Sequence, residues 1–247
     1  MPESELSVQL YTVRAALEND FDGTLGRLAG LGFTAVEPYG FDHFAAELKT
    51  GLARYGLSAP TTHVGLLGGD QDAILTAAAE LGIGTVIDPS VDPARWQRAD
   101  DIAQIATELN AAAKRAADRG LRVGYHNHHF ELASVIDGRH ALEILADHLD
   151  PEVVLEVDTY WAYAGGADVP ALLARLGDRV AALHVKDGDG TLDKFGQVAV
   201  GSGSLPIWDI IAAAPDALRV VELDDSSGDL FDALRDSRAY LLNGPGE

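Results

Sequence analysis

Six short apolar runs in this chain end in residues that can grip a cation or carry a proton: Glu37, His63, His126 with His128, Asp158, His184 with Lys186, and Glu222. Side chains two apart on a strand share a face. That spacing pairs His126 with His128, Glu156 with Asp158, His184 with Lys186, and Glu222 with Asp224. Carboxylates and imidazoles crowded into one partly dry volume repel or lose their charge unless a cation sits among them, so the pattern points to one divalent metal ion. Oxygen and imidazole donors together suit manganese, magnesium, zinc or cobalt, and ligand type does not choose among these. Such an ion polarises a carbonyl or hydroxyl oxygen, which makes proton removal beside a carbonyl feasible for a nearby carboxylate, histidine or lysine.

The elements that must carry these residues alternate along the chain. Apolar strands LSVQLYTV, FTAVEPY, SAPTTHVGL, TVIDP, LRVGYHNH, VVLEVD, VAALHVK and RVVELD are separated by longer amphipathic segments, with glycines at 32, 56, 82 and 120 closing four of the helices. Helices are expected near Asp22–Leu31, His43–Tyr55, Gln71–Leu81, Ala99–Arg119, Arg139–Leu149, Val169–Leu176, Ile207–Ala213 and Gly228–Leu242. Eight βα units in this length imply a single (β/α)8 TIM barrel over residues 1–247, an α/β fold whose sites lie at the C-terminal ends of the strands. The polar residues fall at those ends. A doubly wound open sheet gives the same alternation, but the first βα turn lacks a G-x-G-x-x-G.

Composition narrows the function classes. With 18 basic and 39 acidic residues the formal charge is −21, which repels nucleic acid, and no basic stripe offsets it. The same charge argues against an anionic membrane surface. There is no cysteine, which excludes a disulfide framework, a thiolate zinc site and a cysteine nucleophile. Neither a signal peptide nor a membrane span is read, so a cytoplasmic protein acting on a small molecule is the expectation, with an oligomer left open.

GYHNHHFEL, LEVDTYW, LHVKD, the G-x-G that follows and VVELD resemble the sugar phosphate isomerase/epimerase family of the xylose-isomerase-like barrels, and the resemblance runs through essentially the whole chain. It implies a metal-dependent isomerase or epimerase of a sugar or keto-sugar, with a keto-sugar or keto-inositol dehydratase as the second reading. An apurinic endonuclease or a non-catalytic sugar-binding barrel comes behind both. The family uses four ligands from strands five to eight, commonly Glu, Asp, His and Glu. Asp158, His184 and Glu222 match the last three, whereas the first position holds His126; His128 and Glu131 are the other strand-five candidates. Without that glutamate, a symmetrical two-glutamate proton exchange is not inherited, and Lys186, His128 and Glu131 become the candidate acids and bases.

Glu37, His63 and Trp161 are read as substrate-binding, the tryptophan together with Tyr11 as an apolar wall for a sugar ring. Glu156 reads as structural. Gly201 and Gly203 offer either backbone amides to a phosphate or a flexible turn. Because few basic residues accompany the site, an unphosphorylated substrate is expected.

Overall fold

The computed structural model describes residues 6–245. Eight parallel strands form one sheet: β1 Leu6–Gln9, β2 Ala35–Glu37, β3 Thr61–His63, β4 Thr85–Asp88, β5 Arg122–His126, β6 Val153–Asp158, β7 Val180–Val185 and β8 Leu218–Val221. Hydrogen-bonded ladders run in the order β2-β1-β8-β7-β6-β5-β4-β3. Two single bridges, Ala35 to Ser58 and Tyr39 to His63, span the remaining gap between β2 and β3 and nearly close the barrel. The open doubly wound alternative is thereby excluded, since its two edge strands never meet.

The main helix after each strand is α1 Phe21–Gly30, α2 Ala45–Tyr55, α3 Gln71–Leu81, α4 Ala99–Ala117, α5 Ala141–His148, α6 Val169–Leu176, α7 Ile207–Ala213 and α8 Leu230–Asn243, with shorter helices at Arg14–Asn19 and Thr159–Ala164. Their starts are written into the sequence. Asp20, Asp70, Asp168 and Asp229 each accept a hydrogen bond from an amide of the first turn of α1, α3, α6 and α8. Leu25, Leu28, Leu75, Ile105, Leu109, Leu145 and Leu172 are buried, tying the helix ring to the barrel wall. All six residues of β6 are buried, as expected for a strand covered on both faces.

Two expectations shift locally. LSVQLYTV is a strand only to Gln9; Leu10–Val13 is a 3-10 turn because the Gln9 side chain accepts the Tyr11 amide and bends the chain. The loop after β5 contains a helical turn, Phe130–Ala133, and a two-residue hairpin pairing Val135–Ile136 with Arg139–His140.

Register sets the site. His126 lies beside Glu156 across β5 and β6, Asp158 beside His184 across β6 and β7, and Gln9 beside Glu37 across β1 and β2. No helix among the described residues is long and apolar enough to cross a membrane.

Candidate metal centre and active site

The polar residues form two layers inside the barrel mouth. In the lower layer, one oxygen of Glu156 lies 2.5 Å from His63 Nε2, 3.1 Å from His126 Nδ1 and 3.1 Å from His184 Nε2. Glu37 Oε1 lies 2.7 Å from His184 Nε2 and 3.2 Å from His63 Nε2, and accepts a 2.7 Å hydrogen bond from Gln9. In the upper layer His184 presents its other nitrogen, Nδ1, 2.6 Å from Glu222 Oε2, while His126 Nε2 lies 3.7 Å from Asp158 Oδ2. Glu156, read from sequence as a structural residue, is thus at the centre of the lower layer.

Lys186 completes the upper layer. Its ammonium sits 2.8 Å from Asp158 Oδ2, 2.6 Å from Glu222 Oε2 and 2.7 Å from Asp224 Oδ2, and 5.5 Å from the centre of the Trp161 ring. Gln197 fixes Asp224 from behind, donating 2.8 Å to its carboxylate and accepting its amide at 2.7 Å.

Charge follows from this geometry. Burial disfavours the ammonium of Lys186, but Asp158, Asp224 and Glu222 outweigh it and hold its pKa well above the usual lysine value. Burial likewise opposes charge on His184, yet Glu156, Glu222 and Glu37 raise its pKa well above normal. Glu222 and Glu156 are pushed up by burial and pulled well below the ordinary carboxylate range, Glu222 by Lys186 and His184, Glu156 by His184 and His63. Burial lifts Asp158 to about 6, only partly countered by Lys186, and lifts Glu37, helped by Glu156. His126 is driven well below 6.5 by burial and by the His184 charge.

Two sets of donors lie close enough to share an ion: His63, His126, Glu156 and His184 below, and Asp158, His184 and Glu222 above. In the lower set three ring nitrogens converge on one oxygen of Glu156 at hydrogen-bond distance, so that oxygen is shared among the three rings. A ligating imidazole is neutral, so an ion here would displace one proton of His184; each ring then gives one lone pair, and its other N–H needs an acceptor. Glu156 and Glu37 supply that acceptor for His126 and His184, leaving His126 Nε2 and His184 Nδ1 facing the upper layer; a carboxylate behind a ligating histidine fixes ring and tautomer in this way. The upper set fits a divalent cation: its donors are the oxygen and imidazole types such an ion takes, and Asp158 Oδ2 is buried and receives no hydrogen bond of ordinary geometry although Lys186 is near.

A cavity of about 350 Å3 opens above this layer, lined among others by Tyr11, Tyr39, His63, His126, His128 and Glu222. Tyr11 and Tyr39 meet edge to face, ring centres 5.3 Å apart, and form an apolar wall. Tyr39 was not singled out in the sequence, although it lies two residues beyond Glu37 and so on the same side. His128 packs flat on Phe130 and has a buried Nδ1 with no partner; burial, then the Lys186 charge, lower its pKa to about 4, so it is neutral. Glu131 is turned away: it accepts Tyr125 OH at 2.7 Å and the His128 amide at 2.9 Å, and burial raises its pKa to about 8. Glu37 is fully buried beneath the cavity, and Trp161 lies beside Lys186 rather than on the cavity wall.

The glycine-rich loop after β7 has a different occupant from either sequence reading. Its amides at Gly188, Gly201, Gly203 and Leu205 all donate to the buried Asp187 carboxylate, at 2.8 to 3.1 Å. The anion that loop cradles is its own aspartate. A Cβ at Gly203 would meet Asp187 Oδ1 at 2.2 Å, so glycine is needed there for close approach.

Residues 25–216 match the family model described as "Xylose isomerase-like TIM barrel". The chain belongs to that family. Inosose dehydratase of Geobacillus kaustophilus (strain HTA426) is 26% identical over 192 residues, a match covering 67% of this chain and 61% of that protein's length. Among solved structures, a sugar phosphate isomerase/epimerase from Parabacteroides distasonis ATCC 8503 superposes with a TM-score of 0.82 at 23% identity, covering 99% of this chain and 96% of the other. The IOLI protein with a binding zinc atom gives 0.70 at 13% identity, covering 97% and 98%. The family groups sugar-processing isomerases, epimerases and dehydratases.

Proposed function

We propose that this chain is a divalent-metal-dependent isomerase or epimerase of a small, unphosphorylated keto-sugar, moving a proton next to a polarised carbonyl. The observation that carries the reading is the upper layer, in which Asp158, His184 and Glu222 cluster with His126 beside them, Glu222 and His126 lining an aromatic-walled cavity at the mouth of the barrel. The structural relative that carries a zinc atom supports an ion in a barrel of this shape. When bound, that ion supplies Lewis-acid polarisation of a substrate oxygen.

The chain's own groups supply the rest. Neutral His128, which lines the cavity, takes the proton from the carbon beside the carbonyl; returning it to the neighbouring carbon while the hydroxyl proton passes to the former carbonyl oxygen completes an isomerisation, and reprotonation of the same carbon by solvent from the opposite face completes an epimerisation. Lys186 keeps its proton, so it acts as a charged hydrogen-bond donor and not as a base. Glu131 is a positioning residue that holds the His128 backbone. Glu37 and Glu156 orient the two histidines, and the Tyr11–Tyr39 wall takes the apolar face of a sugar ring. Two observations support an unphosphorylated substrate: the loop amides are spent on Asp187, and no lysine or arginine lines the cavity.

The inosose dehydratase relative favours a second outcome at the same site: after proton loss, a hydroxyl on the next carbon leaves as water and an enone forms. One experiment separates the two. Across a panel of keto-sugars and keto-inositols in D2O, proton NMR should show metal-dependent exchange beside the carbonyl. Interconversion without loss of water marks the isomerase, and a new ultraviolet absorbance marks the dehydratase. Full activity after chelation, or no exchange with any compound, overturns the reading.

A further inference from the structure

The candidate cavity does not end at the sugar-sized volume above the upper layer. A second cavity of about 420 Å3 shares Gly40, Val64 and Gly65 with it and continues past Asp42 and His43 to the start of α3 at Asp70 and Ala73. The boundary between the two is therefore almost bare backbone. Gly40 has a left-handed backbone, φ +50°, which accounts for glycine there. Gly65 is different. Its φ lies outside that region, a Cβ would meet nothing within 4 Å, and the residue is exposed. Neither conformation nor packing requires glycine at 65, a residue that lines both cavities and at which a side chain would have open space.

The second cavity is lined by two aspartates, one histidine and small apolar residues. The Asp42 and His43 side chains have no hydrogen-bond or ion-pair partner among the described residues. Asp70 spends one oxygen on capping α3. Ala73, Ile74 and Ala77 add a small apolar floor. No lysine or arginine lines either cavity, and the two aspartates repel an anion. Hydroxyl donors and acceptors on one edge of a ring, with C–H groups on its face, match this lining. Each cavity alone lies near the lower end of the roughly 300–1,000 Å3 typical of small-molecule sites, and together they suit a two-unit ligand.

Resting on the keto-sugar reading of the centre, we propose that the groove past Gly65 is a second sugar subsite, so that the substrate carries a glycosidically attached sugar extending from the Tyr11–Tyr39 wall toward Asp42, His43 and the start of α3. The test uses binding alone. Glucose, glucose 6-phosphate, cellobiose, maltose, lactose and trehalose are titrated into the manganese-loaded protein by calorimetry. At least one disaccharide is expected to bind about tenfold or more tightly than glucose. Gly65→Leu should bring that ratio near one, Gly65→Ala part of the way, and Asp42→Ala should lower it, with melting curves confirming that each variant is folded. Equal binding of glucose and every disaccharide, no binding at all, an unchanged ratio in folded Gly65→Leu, or preference for glucose 6-phosphate overturns the proposal. Because nothing here needs turnover, a protein that prefers disaccharides but exchanges no proton contradicts the enzymatic reading and leaves the subsite standing; the converse result contradicts the subsite alone.

Discussion

Replacing Lys186 with methionine, a side chain of similar length without the charge, removes the internal cation shared by Asp158, Glu222 and Asp224. All three pairs are under 3 Å, and Lys186 is 1% exposed, so solvent screens them little. Removing one partner of a buried pair costs about 3–5 kcal/mol because the remaining charge is left uncompensated. At about 2–4 °C per kcal/mol for a protein of this size, the chelated variant should melt roughly 6–20 °C below the chelated parent. Protonation of Asp158, already lifted to about 6, moves the loss toward the lower figure as pH falls. Two of these carboxylates, Asp158 and Glu222, are proposed to hold the metal, and a charge ~4 Å away at an effective dielectric of 20 is worth ~4 kcal/mol. Manganese should therefore bind the variant at least about tenfold more tightly and raise its melting temperature more than the parent's. Calorimetric titration and melting curves with and without manganese read both effects. An unshifted melting temperature in EDTA, or manganese affinity that is equal or weaker, would refute the reasoning.

Other outcomes follow from the surrounding residues. Glu131, raised from 4.5 to about 8, stays protonated in the folded chain while the unfolded chain ionises, so its contribution is full below about pH 4.5 and fades as pH rises through 8. Glu131→Gln keeps the neutral shape, and its melting temperature should gain on the parent's steadily across that window; a constant difference contradicts the assignment. Asp187→Ala leaves four loop amides without their acceptor, and hydrogen bonds to a charged group are worth about 1.5–3 kcal/mol each. Limited proteolysis should then cut within residues 189–204 at least about tenfold faster, and an unchanged rate would count against the cage. Glu156→Gln removes the negative charge common to His63, His126 and His184, and metal affinity should fall about 10–100-fold, the usual cost of losing a carboxylate behind a ligating histidine; unchanged affinity in a titration would dissociate the two layers.

The barrel was legible because each βα unit carries its own local signals: a strand apolar throughout, an aspartate at the head of four helices, a glycine behind others. The upper layer was legible for a related reason, since Asp158 and His184 close their strands and register brings strand ends together. The lower layer was harder. Period two puts Glu156 on the same face as Asp158, but a mid-strand acid gives no hint that His63, from a strand three places away in the sheet, reaches it across the barrel. Asp187 was unreadable for a different reason: its partners lie up to eighteen residues on, and only the folded loop shows that Gly201, Gly203 and Leu205 turn back toward it. Glu131 sits beside the site in sequence, yet a helical turn at Phe130–Ala133 directs it to Tyr125 and the His128 amide.

Anomalous diffraction from crystals soaked in manganese tests the central claim most directly. A single peak about 2.0–2.3 Å from oxygens of Asp158 and Glu222 and from His184 Nδ1, with His126 Nε2 the nearest further donor, is the expected result. A peak among His63, Glu156 and His184 Nε2 in the lower layer, or no peak while Lys186 still bridges the three carboxylates, would contradict it.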